Sequence, residues 1–229
     1  MELLTSSTFW IALLEVIGIN IILSGDNAVV IALAARSLPP QQQRRAIQIG
    51  SGAAVVLRIV LTLVAAKLLK MPYLEIIGGC LLLWIGAQLL VNEEENEGGS
   101  KGTSNMLAAV RTILLADLVM SLDNVIAVAA AAKGDTTLLV LGLAISIPLV
   151  VFGSTLMIKL MARFPIIVTL GAALIGWVAG ETITNDHVLQ GFVQVHPWVH
   201  YAAAAAGAVL VILLGKWMQT RATAQTKNG

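Results

Sequence analysis

The stretch Asn20-Ile-Ile-Leu-Ser-Gly-Asp-Asn27 lies inside an otherwise apolar run and returns 97 positions later as Asp117-Leu-Val-Met-Ser-Leu-Asp-Asn124. In each copy a polar residue is followed four positions on by Ser and six and seven positions on by Asp-Asn, and Ala/Val-rich sequence then runs to a basic residue, Arg36 or Lys133. An ionised Asp at the centre of a bilayer costs about 3 kcal/mol on insertion scales, so such residues face a cavity, a partner or a bound ion. A chain that carries this pair twice is constrained to build a polar site between two related halves.

The setting is a membrane. Hydrophobic residues make up 58% of the chain and charged residues 12%, against roughly 25% charged in a soluble domain. A net charge of +1 provides no basic surface for nucleic acid. Cys80 is the only cysteine, which rules out a disulfide framework and a thiolate metal cluster. Before the first apolar segment stand Glu2 and no Lys or Arg, so that segment reads as a span and not as a cleavable signal peptide.

Spans need about 20 mainly apolar residues each. Seven are expected, over Phe9–Ala35, Ile47–Ala66, Tyr73–Val91, Thr112–Ala132, Leu138–Leu160, Ile166–Gly180 and Tyr201–Lys216, the sixth being short enough to end beyond Glu181. Residues 92–105 are acidic and Gly-rich and read as a flexible linker. Pro72, Gly78 and Trp84 recur 93 positions later as Pro165, Gly171 and Trp177, so each repeat holds three spans. Three is odd, and the second repeat therefore enters the membrane upside down, the inverted plan of many secondary transporters.

The expected organisation is an all-α polytopic transmembrane bundle. Residues 1–91 form the first three-helix repeat, 92–105 the linker, 106–181 the inverted second repeat, and 182–229 an outer loop, a seventh helix and a tail. With the N-terminus outside, ten Lys and Arg fall on the cytoplasmic side against Lys67, Lys70 and Lys133 outside, which favours N-out, C-in. Trp10 and Trp198 then sit at the outer interface and Trp217 at the inner one.

On a regular helix at about 100° per residue, Asn20, Ser24 and Asn27 share a face, while Asp26 falls about 120° away in the direction of Glu15. Gly25 offers a break that would turn Asp26 inward and free carbonyl oxygens; Leu122 stands at that place in the second copy. The candidate site is then Asp26, Asp117, Asp123, Asn20, Asn27 and Asn124, supported by Ser24 and Ser121. An oxygen set without Cys or intramembrane His suits a hard divalent cation such as Mn²⁺, Mg²⁺ or Ca²⁺, with manganese the natural candidate for transport. The bland alternative is hydrogen bonding between helices, for which three carboxylates are a poor choice.

Arg58, mid-span, must be paired or face water. It serves either as a counter-charge that an incoming cation releases or as a structural partner of Glu15 or Asp26. Glu181 closes the sixth span as an outer-gate or proton-carrying carboxylate, or as an ordinary interfacial charge. Asp186, His187, His196 and His200 are ligand types without a recognisable metal spacing; their segment reads as an interfacial loop, with a metal hand-off as the alternative.

Leu23-Ser-Gly-Asp-Asn-Ala-Val-Val-Ile-Ala-Leu-Ala and Met120-Ser-Leu-Asp-Asn-Val-Ile-Ala-Val-Ala, with Val56-Leu-Arg-Ile-Val between them, resemble the TerC family of integral membrane proteins, in particular its YjbE-type branch. The resemblance covers about Phe9 to Glu181. It implies membership of a group implicated in tellurium resistance and manganese export and related to LysE-type exporters, with Asp26, Asn27, Asp117, Asp123 and Asn124 matching the family's acidic core. Family members more often carry Asp where this chain has Asn20.

The expected function is export of a divalent cation, Mn²⁺ first, by alternating access in the cell membrane. The partners are the bilayer, the cation and, by hypothesis, returning protons. Homo-oligomerisation stays open, and no prosthetic group or catalytic residue is expected. The rivals are a non-transporting membrane partner in metal or tellurite stress and an intramembrane aspartyl protease; the Asn after each Asp and the repeat symmetry speak against the second. The orientation predicts that cysteines at Ser37 or Gly98, with Cys80 removed, are shielded from an impermeant thiol reagent added outside, while one at Asp186 reacts. Outside labelling at Ser37 would overturn it.

Overall fold

The computed structural model describes residues 7–68, 71–91, 106–132 and 135–226, with side chains except at 7, 8, 65–67, 123 and 222–226. The expected linker over 92–105 lies outside the described residues. Among those described, every regular element is a helix: α1 Ser7–Leu23, α2 Gly25–Ala35, α3 Pro40–Leu68, α4 Leu74–Val91, α5 Met106–Ala131, α6 Thr136–Arg163, α7 Ile166–Asn185, α8 His187–Val195 and α9 Trp198–Thr226. Five of these are long and apolar enough to cross a membrane, and the count reaches seven when α1 with α2 and the two halves of α5 are each taken as one bent span.

Local chemistry sets the breaks. α1 and α2 meet at 50° around Ser24, whose φ of −105° and ψ of 5° leave helical geometry and whose side chain makes no capping bond to α2. The hydroxyl is drawn sideways into the core instead. Asp26 sits in the first turn of α2, where a helix N-terminus favours negative charge, and its Oδ1 accepts from the Asn27 N–H at 2.7 Å. The second copy bends more sharply, 66° between Leu122 and Asn124, although Leu122 stands where the first copy has Gly25. A glycine is therefore not required for a bend at this place of the motif, and the feature common to both copies is the polar motif itself.

Two layers follow. α4, α7 and α9 pack into one panel and α1/α2, α3, α5 and α6 into a bundle beside it. The panel is knit by backbone contact: a Cβ on Gly176 would strike the Gly207 carbonyl, and one on Gly180 would strike that of Ala203, the small-residue packing that membrane helices use where hydrophobic burial offers no driving force. Gly78 of α4 lies against Val119 of α5, and its 93-residue counterpart Gly171 of α7 lies against Val29 and Leu33 of α2. Helices before and after residues 92–105 interleave: α3 packs on α5, and α6 on α1 and α2.

α4 and α7 run antiparallel, because the start of one meets the end of the other. Asp186, immediately after α7, accepts from the backbone N–H groups of Tyr73 at 3.2 Å, Glu75 at 3.1 Å and Ile76 at 3.3 Å, and from Val188 at the start of α8 at 3.0 Å. Tyr73 reaches this cap with φ of 65°, a strained value for a bulky residue. At the opposite end, Arg36 donates to the Leu89 carbonyl at 3.0 Å and Gln219 to that of Leu90 at 2.9 Å, which brings the ends of α2, α4 and α9 together. The segment read as an interfacial loop contains α8, and the sixth span continues to Asn185.

Asp186 is only 1% exposed, so a cysteine there would be closed off; exposed Gln194 is the suitable probe for the side expected to face outward. Burial by itself raises the Asp186 carboxyl, but the N–H groups of Val188, Tyr73, Ile76 and Glu75 outweigh it and hold the group below its ordinary value. A depressed carboxyl stabilises the fold above its unfolded pKa of about 4 and loses that contribution as pH falls through the folded value. Asp186→Ala should cost about 1–3 kcal/mol by stranding buried donors, read as a lower Tm in detergent. The wild-type Tm should also fall more steeply than the variant's below about pH 4.

Candidate functional site

The centre of the bundle is Arg58, midway along α3 and 5% exposed. Its Nε donates to Ser121 Oγ at 2.9 Å, one terminal nitrogen to Asn20 Oδ1 and Ser24 Oγ, both at 2.8 Å, and the other to Asp117 Oδ1 at 2.8 Å. Ser121 Oγ donates in turn to Asp117 Oδ2 at 3.2 Å. The guanidinium is therefore held by one residue pair from each copy of the motif, Asn20 with Ser24 and Asp117 with Ser121. Positive and negative charge cancel once, since position 20 is neutral. Of the two partners expected for Arg58, neither Glu15 nor Asp26 is bonded to it; Glu15 is exposed on α1.

The motif asparagines divide. Asn124 Nδ2 reaches across to the Leu23 carbonyl at 3.3 Å, covering an oxygen that the break after α1 releases. Asn27, its counterpart 97 positions earlier, is 3% exposed, and neither its Oδ1 nor its Nδ2 has a hydrogen-bond partner. Two small cavities flank Arg58. One, of about 20 Å³, is bordered by Asn20, Ser24, Asn27, Ser51, Asp117 and Ser146. The other, of about 10 Å³, is bordered by Thr62, Ser121, Asn124, Val128 and Leu143. Ser24 and Asn27 in the first correspond by motif position to Ser121 and Asn124 in the second, and Arg58 lines both.

Asp26 does not join this centre. It borders a wider cavity of about 200 Å³ with Asn124, Glu181, Thr182, Asn185 and His200. There Trp177 Nε1 donates to Glu181 Oε1 at 2.8 Å, His200 Nε2 lies 3.8 Å from the same carboxylate oxygen, and Thr184 Oγ1 pairs with His200 Nδ1 at 2.8 Å. Asn124 lines both this vestibule and the smaller cavity beside Arg58. The expected set thus separates into a paired core of Asn20, Ser24, Asp117, Ser121 and Arg58 and a vestibule of Asp26 and Glu181, joined through Asn124. The side chain of Asp123 lies outside the described residues. Among those described, no three His, Cys, Asp or Glu are grouped as a ready-made metal site.

The sequence profile described as "Integral membrane protein TerC family" matches residues 5–223. The chain belongs to the TerC family. This TerC protein is 41% identical over 211 residues to "Uncharacterized membrane protein YjbE" of Bacillus subtilis, a match spanning 92% of the chain and 96% of that relative. It is 26% identical over 188 residues to YkoY of the same organism, covering 58% of it. It is also 30% identical over 145 residues to "UPF0053 inner membrane protein YoaE" of Escherichia coli, covering 28% of it. No solved structure matches. The TerC assignment and the apolar helices make this a multi-pass membrane protein.

Ser51, Thr62, Ser146 and His200 were not anticipated at the site. Ser51, Arg58 and Thr62 lie seven and four residues apart on α3 and so share a face, a pattern that could have been read outward from Arg58. Ser146 and His200 sit on other helices and carry no such mark.

Removing one partner of a buried ion pair strands the other charge, at about 3–5 kcal/mol, whereas apolar replacement of both is often tolerated. Asp117→Leu and Arg58→Met should each lower the Tm markedly in detergent, and the double variant should melt above either single one. A double variant that melts at the sum of the two losses would mean the pair contributes no coupling.

Proposed function

We propose that this TerC protein is a cell-membrane exporter of a divalent cation, Mn²⁺ first among them, working by alternating access between two inverted three-helix repeats. The observation that carries the reading is Arg58, a tethered cation held equally by both copies of the motif and lining both cavities. A side chain placed this way does what a bound metal ion would do: it neutralises Asp117 and satisfies the neutral oxygens of Asn20, Ser24 and Ser121. An incoming cation competes for those oxygens and releases the guanidinium.

The inverted arrangement is supported by the antiparallel course of α4 and α7 and by the interleaving of helices from before and after residues 92–105. The N-out, C-in orientation draws on the Lys and Arg distribution and agrees with the clustering of the α2, α4 and α9 ends at one face. In that frame the Asp26 vestibule opens outward. The oxygen-only core favours a hard cation, and manganese is preferred on the family resemblance. Protons returning on the same carboxylates would compensate the charge moved. Asp123, by its motif position, belongs to the pathway.

The test is ⁵⁴Mn efflux from loaded vesicles, with Mg²⁺, Ca²⁺, Zn²⁺ and lysine as competitors. Asp26→Asn is the most informative variant, because among the described residues the Asp26 carboxylate is bonded to backbone N–H groups, its neighbour's and its own, so the fold loses little. Transport should fall at least about tenfold, since the substitution removes one of the charges that hold a divalent ion, and Asp123→Asn should behave alike. Asp135→Asn is the matched control: Asp135 caps α6 through the N–H groups of Thr137 and Leu138, and Asn caps equally well. Wild-type rates in correctly inserted Asp26→Asn and Asp123→Asn would move the cation path elsewhere and leave the motif as helix-to-helix hydrogen bonding.

A further inference from the structure

The two cavities beside Arg58 share corresponding motif residues but differ in their hydrogen bonding. Asn124, in one, covers the Leu23 carbonyl. Asn27, in the other, has both ends of its carboxamide unpaired, and Ser51 Oγ, also 3% exposed, lacks a partner in the same cavity. Buried polar groups without partners cost free energy, and here two of them border one cavity whose remaining wall is largely aliphatic, from Ile31, Ala54, Val55, Ile147 and Val150, which singles out its polar side as a place for a guest. The space of about 20 Å³ fits one guest of water size.

We infer that this chamber is a binding station for a single dehydrated divalent cation, with Ser51 as a ligand that neither copy of the repeated motif contains. The inference rests on the export reading and deepens it. Asn20, Asn27, Ser24, Ser51 and Ser146 supply neutral oxygens and Asp117 the carboxylate, a donor set suited to a hard ion. While Arg58 is bonded to Asp117 the charges cancel, and the chamber takes a neutral water. When the guanidinium withdraws toward the cavity of Thr62 and Ser121, Asp117 is left unbalanced and the cation takes its place. The small volume excludes an ion with its full water shell, so dehydration is completed here. Ser51 stands seven residues before Arg58 on the same face of α3, which places the ligand and the displaced charge along one wall.

The test uses the full-length protein in detergent, in a Cys80→Ala background, with Mn²⁺ and Cd²⁺ as probes. Ser51→Ala should leave the metal-free Tm unchanged, since its hydroxyl has no bond to lose, yet weaken Mn²⁺ binding about tenfold and shrink the Mn²⁺-induced rise in Tm. Ser51→Cys exchanges a hard oxygen for a soft sulfur, so the Cd²⁺-to-Mn²⁺ affinity ratio should rise at least tenfold, a change that a purely structural role would not produce. Wild-type Mn²⁺ affinity in Ser51→Ala, with no gain in Cd²⁺ preference in Ser51→Cys, overturns the assignment of Ser51 as a ligand, while the export reading is judged separately by the Asp26→Asn efflux. A parent protein that neither binds nor moves Mn²⁺, Mg²⁺ or Ca²⁺ overturns the export reading first and the chamber with it.

Discussion

A guanidinium cannot be buried in the middle of a hydrocarbon layer unless its charge is met and its N–H groups are directed, and the bundle is arranged to do both for Arg58. Four donor contacts, two to each copy of the repeated motif, fix where α1, α3 and α5 cross. The same demand explains the local irregularity of α1. Ser24 would ordinarily cap the helix that follows it, but its hydroxyl is committed to Arg58 and α2 begins uncapped after a 50° bend. A neutral Asn20 opposite a charged Asp117 is what balances a single arginine; a second carboxylate there would leave the centre with net negative charge.

The rest of the molecule divides the work between two bodies. The panel of α4, α7 and α9 is held backbone to backbone by Gly176, Gly180 and Gly207 and pinned at one end by Asp186 and at the other by Arg36 and Gln219. The bundle holds the paired core. The vestibule is walled by both, Asp26 and Asn124 from the bundle and Glu181 and His200 from the panel. The vestibule is therefore shared between panel and bundle, whereas the Arg58 network is internal to the bundle.

The pseudo-symmetry is informative where it fails. Asn124 and Asn27 occupy equivalent positions, yet one covers a carbonyl of the other repeat and the other is left unpaired beside Ser51. Arg58 has no charged counterpart, because the region around Val151 to Ser154 is neutral. The cavities on the two sides of Arg58 carry different donor sets.

Much of this architecture is local in origin and legible in the chain itself. Apolar runs of span length, the motif repeated at 97 residues, the recurrence of Gly78 and Trp84 as Gly171 and Trp177, and the exclusion of thiolate chemistry all depend on residue type and spacing, which a one-dimensional string records. The all-helical membrane fold followed from them, as did a bend beside Ser24, while the TerC family was reached through the resemblance of the motif segments and the profile match over residues 5–223. What the string could not hold is which faces of distant helices meet. The helical period correctly set Asp26 apart from Asn20, Ser24 and Asn27; the inward turn expected from Gly25 did not unite them, because a 50° bend leaves Asp26 at the vestibule with Glu181 and His200. The pairing of Arg58 with Asp117, 59 residues away, and the capping of α4 by Asp186, 111 residues from Glu75, are decided by the packing of whole helices. Hydropathy and periodicity constrain each helix separately, and only the tertiary structure sets the rotation of one against the next.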